Sequence, residues 1–254
     1  MKISVVIPAY NEEKYIGACL ESLMKQTEKP DEIIVIDNNS TDATATIAKS
    51  YGATVILEKK QGRTAARNRG FDSAKGDIIL RTDADTRVPK NWVRKMKKHF
   101  IDPSVIAVSG PSKYYNVPSL VQVKNWPMQV FFRSFKRVFG HACLYGPNMA
   151  VRKSAWKKVR PELCDDDSVV HEDVDVAIHI APFGKIVFDP KLLVECSARR
   201  WKRPAPYLEY PYRYVRTLQR HKQSLHGIKA GAKMIGSVAI RPTKRLLRFA
   251  RNDG

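Results

Sequence analysis

Through the first 85 residues, short runs of aliphatic and β-branched residues alternate with helix-length amphipathic segments, and this rhythm limits the fold more than any other feature of the chain. Ile3 to Ile7, closed by Pro8, then Ile33-Ile34-Val35-Ile36, Val55-Ile56-Leu57 and Ile78-Ile79-Leu80 are continuous apolar runs too short for helices. Such runs mark strands buried on both faces. Between them, the first helix is expected to open at Asn11 as its N-cap. Glu12 and Glu13 would sit in its first turn, with Ile16, Leu20, Leu23 and Met24 at helical spacing. The turn-forming cluster Asp37-Asn38-Asn39-Ser40-Thr41-Asp42 precedes a helix over 43–51, and an Ala-rich helix is expected over 64–74. Strict strand–helix alternation predicts an α/β fold with a mostly parallel sheet covered by helices on both faces.

Sheets of this class bind ligands outside the carboxyl ends of their strands. The polar clusters fall there: Tyr10-Asn11-Glu12 after the first strand, Asp37 at the end of the second, Asp83 and Asp85 after the fourth. Along extended chain the two carboxylates of Asp83-Ala84-Asp85 would point to the same side, as a site for Mg²⁺ or Mn²⁺ and a diphosphate requires. A lone Asp-x-Asp is more often a pair of solvated carboxylates in a turn. Just upstream, Lys60-Gln61-Gly62-Arg63 leads into Ala66-Arg67-Asn68-Arg69-Gly70, where Arg67 is placed to contact phosphate and Arg69 reads as part of a solvated helix face.

Beyond residue 86, a helix is expected from Pro89 to about Phe100 and a strand over 105–108. Met128, Phe131, Phe132, Phe135, Val138 and Phe139 form an apolar stripe opposite Arg133, Lys136 and Arg137. The chain holds 45 Lys and Arg against 25 Asp and Glu, unevenly spread. Segments 86–160 and 199–254 are strongly basic, 1–85 is near neutral and 161–198 is acidic. Something anionic should therefore meet the basic segments, and the expectation is that 128–139 and 212–251 dock on anionic lipid. Burial against the sheet would explain the phenylalanines equally well. The pI near 9.9 would permit nucleic-acid binding, but no helix-turn-helix, zinc-finger or aromatic RNA-binding motif is visible, so no specific nucleic-acid partner is expected. Cys19, Cys143, Cys164 and Cys196 are scattered without a Cys-x-x-Cys pair and read as reduced core thiols. No signal-like leader and no spanning apolar stretch is seen, so the expected location is cytoplasmic, peripheral on the cytoplasmic membrane face.

Taken together, Val5 to Glu13, Asp37 to Asp42, Ala66 to Gly70, Asp83-Ala84-Asp85, Gly146-Pro147-Asn148 and Glu172-Asp173 resemble the ordered motif series of glycosyltransferase family 2. The resemblance implies a GT-A, Rossmann-like fold over 1–201, with a nucleotide-sugar-binding half (1–110), an acceptor-binding half (111–201) and a basic helical extension at 202–254. Carried over position by position, Pro8, Ala9, Tyr10 and Glu12 resemble the pocket for base and ribose, with Asp37 reading the base edge. Arg67 resembles a diphosphate or base contact, Asp83 and Ala84 the ribose or metal-water side, and Asp85 the direct metal ligand. Gly146, Pro147 and Asn148 resemble the loop beneath donor sugar and acceptor. Asp173, beside Glu172, resembles the catalytic base.

The implied activity is inverting, non-processive transfer of a sugar from a nucleotide-diphosphate donor, expected to be UDP-linked, to a glycan or lipid-linked hydroxyl in cell-envelope synthesis. Mn²⁺ or Mg²⁺ would be the cofactor. A polyprenyl-phosphate acceptor is the alternative; being already ionised, it would leave Asp173 without a base role. Read alone, Glu172 and Asp173 could simply complement a helix dipole. His171 beside them reads as a hydrogen-bonded neighbour. Processive members carry Gln-x-x-Arg-Trp where this chain has Ser197-Ala198-Arg199-Arg200-Trp201 without the Gln. Arg200 and Trp201 are expected to close over diphosphate and acceptor.

Overall fold

The computed structural model describes residues 1–117, 126–166, 169–199 and 205–221. A seven-stranded sheet runs through the centre in the order β3-β2-β1-β4-β8-β6-β9. Its strands are β1 (Ile3–Ala9), β2 (Glu32–Asp37), β3 (Thr54–Leu57), β4 (Ile78–Arg81), β6 (Val105–Ser109), β8 (Met149–Arg152) and β9 (Lys185–Phe188). Strands β3, β2, β1 and β4 are parallel neighbours, as the alternation predicts. Strand β8 lies antiparallel to both β4 and β6, which makes the sheet mostly rather than wholly parallel.

Both faces of the sheet are covered, so successive residues of one strand enter different cores. Ile3, Val5, Ile7, Val35, Ile78 and Leu80 pack on one face, with Ile16, Cys19, Leu20 and Leu23 of α1 (Ile16–Met24) and Trp92, Val93 and Met96 of α4 (Trp92–His99). Val6, Ile34, Ile36 and Ile79 pack on the other, with Ala66 and Phe71 of α3 (Arg63–Ser73) and Trp156 of α6 (Lys153–Val159). This is why the runs are continuously apolar: a period of two with both phases buried leaves no polar position. Helix α3 sits so close to β1 that a Cβ on Gly70 would lie 2.3 Å from Val6 Cγ1.

The first helix departs from expectation. It begins at Ile16, not at Asn11, because Asn11 adopts φ 51° and its side-chain oxygen accepts the Thr41 N–H at 2.9 Å. Asn11 and Glu12 thereby form a loop tied to α2 (Thr44–Ser50) by Glu12 N–H donating to Thr44 Oγ1 at 2.7 Å. Likewise α4 starts at Trp92, with Pro89 one turn ahead supplying a carbonyl to the Trp92 N–H.

The basic amphipathic segment forms α5 (Trp126–Phe139), and three phenylalanines of its apolar side are turned inward, while the Met128, Phe131 and Val138 side chains lie outside the described ones. Phe132, Phe135 and Phe139 are buried in a third core with Val174 and Ile178 of α7 (Glu172–Ile180) and Leu218 of α8 (Ala205–Arg220). Phe132 lies 4.7 Å from the Phe188 ring. Burial, not lipid, therefore accounts for these phenylalanines, while Arg133, Lys136 and Arg137 are exposed. All four cysteines are buried thiols. Among the described residues no helix is long and apolar enough to cross a membrane.

Candidate active site

A small second sheet builds the rim. Strands β5 (Thr86–Arg87), β7 (Ser112–Tyr114) and β10 (Val194–Cys196) pair in the order β5-β10-β7. Cys196 lies opposite Thr86 in antiparallel register. That register carries the residues after β10 back along the residues before β5, which brings Arg199 to Asp85. The Arg199 Nε–H donates to Asp85 Oδ2 at 3.1 Å, a second nitrogen pairs with Glu12, and the guanidinium lies 4.3 Å from the Tyr15 ring centroid.

The Asp83-Ala84-Asp85 segment is a turn, closed by the Thr86 N–H donating to the Asp83 carbonyl at 3.0 Å, and not extended strand as expected. The two carboxylates consequently have different cationic partners. Asp83 Oδ1 is 3.3 Å from Arg81, whose guanidinium also binds Glu172 Oε1 at 2.9 Å and Asp173 Oδ1 at 3.0 Å. Arg81 ends β4 and is buried, so its charge survives in the interior only because three carboxylates surround it. Burial alone would lower its pKa, but Glu172, Asp173 and Asp83 outweigh that and hold it above the ordinary value.

Glu172 and Asp173 open α7, where acidic groups complement the helix N-terminus. Both are buried. The second oxygen of Asp173 accepts the Gly146 N–H at 2.8 Å. Gly146 is required for this approach: a Cβ there would lie 2.9 Å from the Arg81 guanidinium carbon and 3.0 Å from the Asp173 carboxylate. Burial pushes Asp173 up to about 6, with Glu172 and Asp83 adding to the shift and Arg81 and the Gly146 N–H opposing it. For Glu172, burial is overcome by Arg81 and Arg67, and its carboxyl is held below the usual range. The two neighbouring carboxylates are thus shifted in opposite directions, Glu172 down and Asp173 up. Glu12 is likewise pushed up to about 7 by burial, against Arg199 and with the charges of Asp85 and Asp83.

Other expected site residues are placed as follows. Pro8 and Ala9 end β1 and Tyr10 follows it, and Asp37 ends β2 beside Ala9, its Oδ1 accepting the Ser40 N–H at 3.1 Å. Asn38 was not anticipated. It ties this edge to the basic loop, donating to the Glu58 and Lys60 carbonyls and accepting the Gly62 N–H at 2.8 Å. Arg67 differs from expectation. It is wholly buried, donates to the Glu172 carbonyl at 3.1 Å and to Asn68 Oδ1 at 2.9 Å, and lies over Trp156. It supports the acidic pair from inside and is not exposed on the rim. Asn148 differs too. Its amide takes the Trp92 indole N–H at 2.8 Å and gives a hydrogen bond to the Pro111 carbonyl at 2.9 Å, so it fastens the 146–148 turn from within. Pro147 offers its carbonyl to Thr82 Oγ1 at 3.0 Å. His171 is half-buried, and desolvation and neighbouring Arg63 drive its pKa down to about 4, which leaves it neutral. Arg200 and Trp201 lie outside the described residues.

The two residues that organise the rim, Arg81 and Arg199, were both missed. A charge ending the buried run Ile78-Ile79-Leu80 was the available signal for Arg81. Nothing local marks Arg199 over its neighbour Arg200, because its partner is 114 residues away.

The family model described as glycosyl transferase family 2 matches residues 4–160, more than half of the chain. The chain belongs to this family. The chain is 45% identical over 94 residues to the poly(ribitol-phosphate) beta-glucosyltransferase of Bacillus spizizenii, a match covering 34% of the chain and 15% of that relative. Matches to other curated glycosyltransferases cover 15%, 29% and 39% of those relatives' length. The fold is that of the mannosyltransferase PcManGT from Pyrobaculum calidifontis, solved with GDP-Man and Mn²⁺. That likeness has a TM-score of 0.68 at 20% identity and covers 98% of this chain and 79% of that one. Glucosyl-3-phosphoglycerate synthase from Mycobacterium tuberculosis, solved with Mn²⁺, UDP-glucose and phosphoglyceric acid, gives a TM-score of 0.58 at 20% identity over 86% and 79% of the two chains. These likenesses establish a GT-A fold.

Proposed function

We propose that the transferase is an inverting, metal-dependent, non-processive enzyme that moves a sugar from a UDP-sugar to a hydroxyl acceptor in cell-envelope glycan or glycolipid synthesis. The observation that carries this reading is the charge network in which Arg81 joins Asp173 to Asp83, in the same turn as Asp85, which shares Arg199 with Glu12. A donor-binding rim and a candidate base are thereby coupled through one buried guanidinium.

Pro8, Ala9, Tyr10 and Asp37 are assigned to the nucleotide, Gly146 and Pro147 to the sugar and acceptor side. Asp85 and Asp83 are the residues that would hold Mn²⁺ or Mg²⁺. The donor set suits a hard cation, since it is all oxygen and includes Glu12 Oε2, a buried atom without a hydrogen-bond partner. When bound, the ion would neutralise charge gathering on the leaving diphosphate. Asp173 takes the proton of the attacking hydroxyl. Its raised pKa suits that exchange, and the Gly146 N–H and Arg81 fix its orientation. Attack from the face opposite the leaving group inverts the anomeric centre. Arg200 and Trp201 are assigned to closure over the donor, and 202–254 to a basic extension. The inward-turned α5 supports electrostatic attraction to an anionic, cytoplasmic membrane face through Arg133, Lys136 and Arg137, each worth about 1 kcal/mol near the surface. A lipid-linked or glycan acceptor fits that placement.

The test is sugar transfer by Asp173→Asn. A hydroxyl acceptor predicts a turnover loss of about 10²–10⁴-fold with nucleotide binding intact. Near-normal turnover would overturn the base assignment and favour an already ionised phosphate acceptor.

A further inference from the structure

Two residues beyond Asp173, and about 200° around α7, a second cluster faces away from the rim. We propose that Asp175, His179 and His221 form a transition-metal site, suited to Zn²⁺, Co²⁺ or Ni²⁺, that fastens α8 to α7. It is the group among the described residues whose ligand atoms converge in this way, all within 4.8 Å of one another. His221 Nε2 is 2.8 Å and His179 Nε2 3.8 Å from the same oxygen, Asp175 Oδ1. Four-coordinate bonds of about 2 Å place neighbouring ligand atoms about 3.3 Å apart. The two Asp175–histidine separations straddle that value, and with all three ligand atoms within 4.8 Å a bound ion would draw the imidazoles together. The two imidazoles meet at 81° with centroids 4.8 Å apart, and they are not stacked against one another.

The outer contacts are those of a ligand set. Asp175 Oδ2 accepts the Cys164 N–H at 3.0 Å, which turns Oδ1 toward both histidines. His179 Nδ1 lies 3.3 Å from Glu162 Oε2, a carboxylate–imidazole arrangement that fixes the ring with Nε2 directed inward. Asp175 and His221 are buried, while His179 is part-exposed and provides an entry path. Burial lowers the pKa of His179 and so favours its neutral form. Asp175 is held below the carboxylate range, the His221 and Cys164 hydrogen bonds outweighing its burial. Metal binding needs those protonation states. Two nitrogens and one oxygen select borderline transition metals over Mg²⁺ and Mn²⁺, which separates this cluster chemically from the all-oxygen rim.

The site would also bear on the platform beneath Asp173. Helix α8 supplies both His221, just past its end, and Thr217, whose hydroxyl accepts the His171 N–H at 2.6 Å where α7 begins. Bridging α7 to α8 clamps that N-terminus.

The experiment is titration of the untagged, metal-free full chain with Co²⁺, followed optically, in the wild type and in Asp85→Ala, His179→Asn and His221→Asn. The expected result is one equivalent bound with the intense visible band of a four-coordinate site. The band should persist in Asp85→Ala, be displaced by Zn²⁺, and be lost in both histidine variants. His221→Asn also removes a buried hydrogen bond, so His179→Asn, checked as folded by circular dichroism, is the decisive variant. Zn²⁺ should raise the Tm of the wild type by several degrees and leave that of His179→Asn unchanged. Absence of the band in the wild type, its survival in either histidine variant, or its loss in Asp85→Ala would overturn the proposal and leave the cluster a hydrogen-bonded latch.

Discussion

Arg81 and Arg199 serve the same acidic rim under opposite constraints. Arg81 is buried at the end of a central strand and answers three carboxylates, whereas Arg199 is a third exposed, reached through a three-stranded edge sheet, and bridges Glu12 and Asp85. Desolvation makes the first pairing hard to break, because removing one partner strands charge in a low-dielectric interior. The second pairing lies nearer the surface through its guanidinium, although Glu12 and Asp85 are themselves largely buried, so it is the easier of the two to exchange. The charge that fixes Asp173 is locked inside the fold. The charge beside Asp85 sits on a side chain nearer the surface.

The contrast is broken most severely at Arg81. Replacing it with Met should lower stability by about 3–5 kcal/mol, read from denaturant midpoints, since Glu172 and Asp173 would lose their shared cation. A loss near zero would show that the network is not closed to solvent. On the rate side, kcat of the wild type should fall as pH drops below about 6, where Asp173 takes up a proton and ceases to act as a base. Asp173→Asn should remove that limb of the profile together with most of the turnover. Arg199→Ala should be milder than the change at Arg81, lowering stability by about 1–3 kcal/mol, because Glu12 and Asp85 are largely buried carboxylates that lose a charged hydrogen-bond partner. It should also tighten Mn²⁺ binding several-fold without nucleotide, because the ion no longer competes with a guanidinium for Asp85. Unchanged or weaker Mn²⁺ binding would sharpen the comparison in the other direction, making Arg199 part of the metal site and not its rival.

The same contrast shows what a single sequence discloses. Strands β1 to β4 were readable because Val5, Val6 and Ile7, or Ile78, Ile79 and Leu80, leave no polar gap when both faces are covered. The antiparallel β8 was not, since Met149-Ala150-Val151 is a short run whose direction is decided by the 146–148 turn before it. The carboxylates were legible through local motifs and strand ends. Their countercharges were not, because Arg81–Asp173 and Arg199–Asp85 are pairings across 92 and 114 residues set by register and packing. Arg67 and Asn148 stand out in the motif series, but that both side chains are buried and hydrogen-bonded inside the fold depends on which way a side chain turns and not on its type. Asn11 misled in the same manner: a good helix cap by composition, it adopts a left-handed backbone and makes a loop.

Calorimetric titration with UDP, with and without Mn²⁺, of the wild type and Asp85→Ala tests the central claim most directly. The account predicts tight binding by the wild type only when Mn²⁺ is present, and loss of that metal dependence in Asp85→Ala. Equal binding with and without Mn²⁺, or a metal effect that survives in Asp85→Ala, would contradict it.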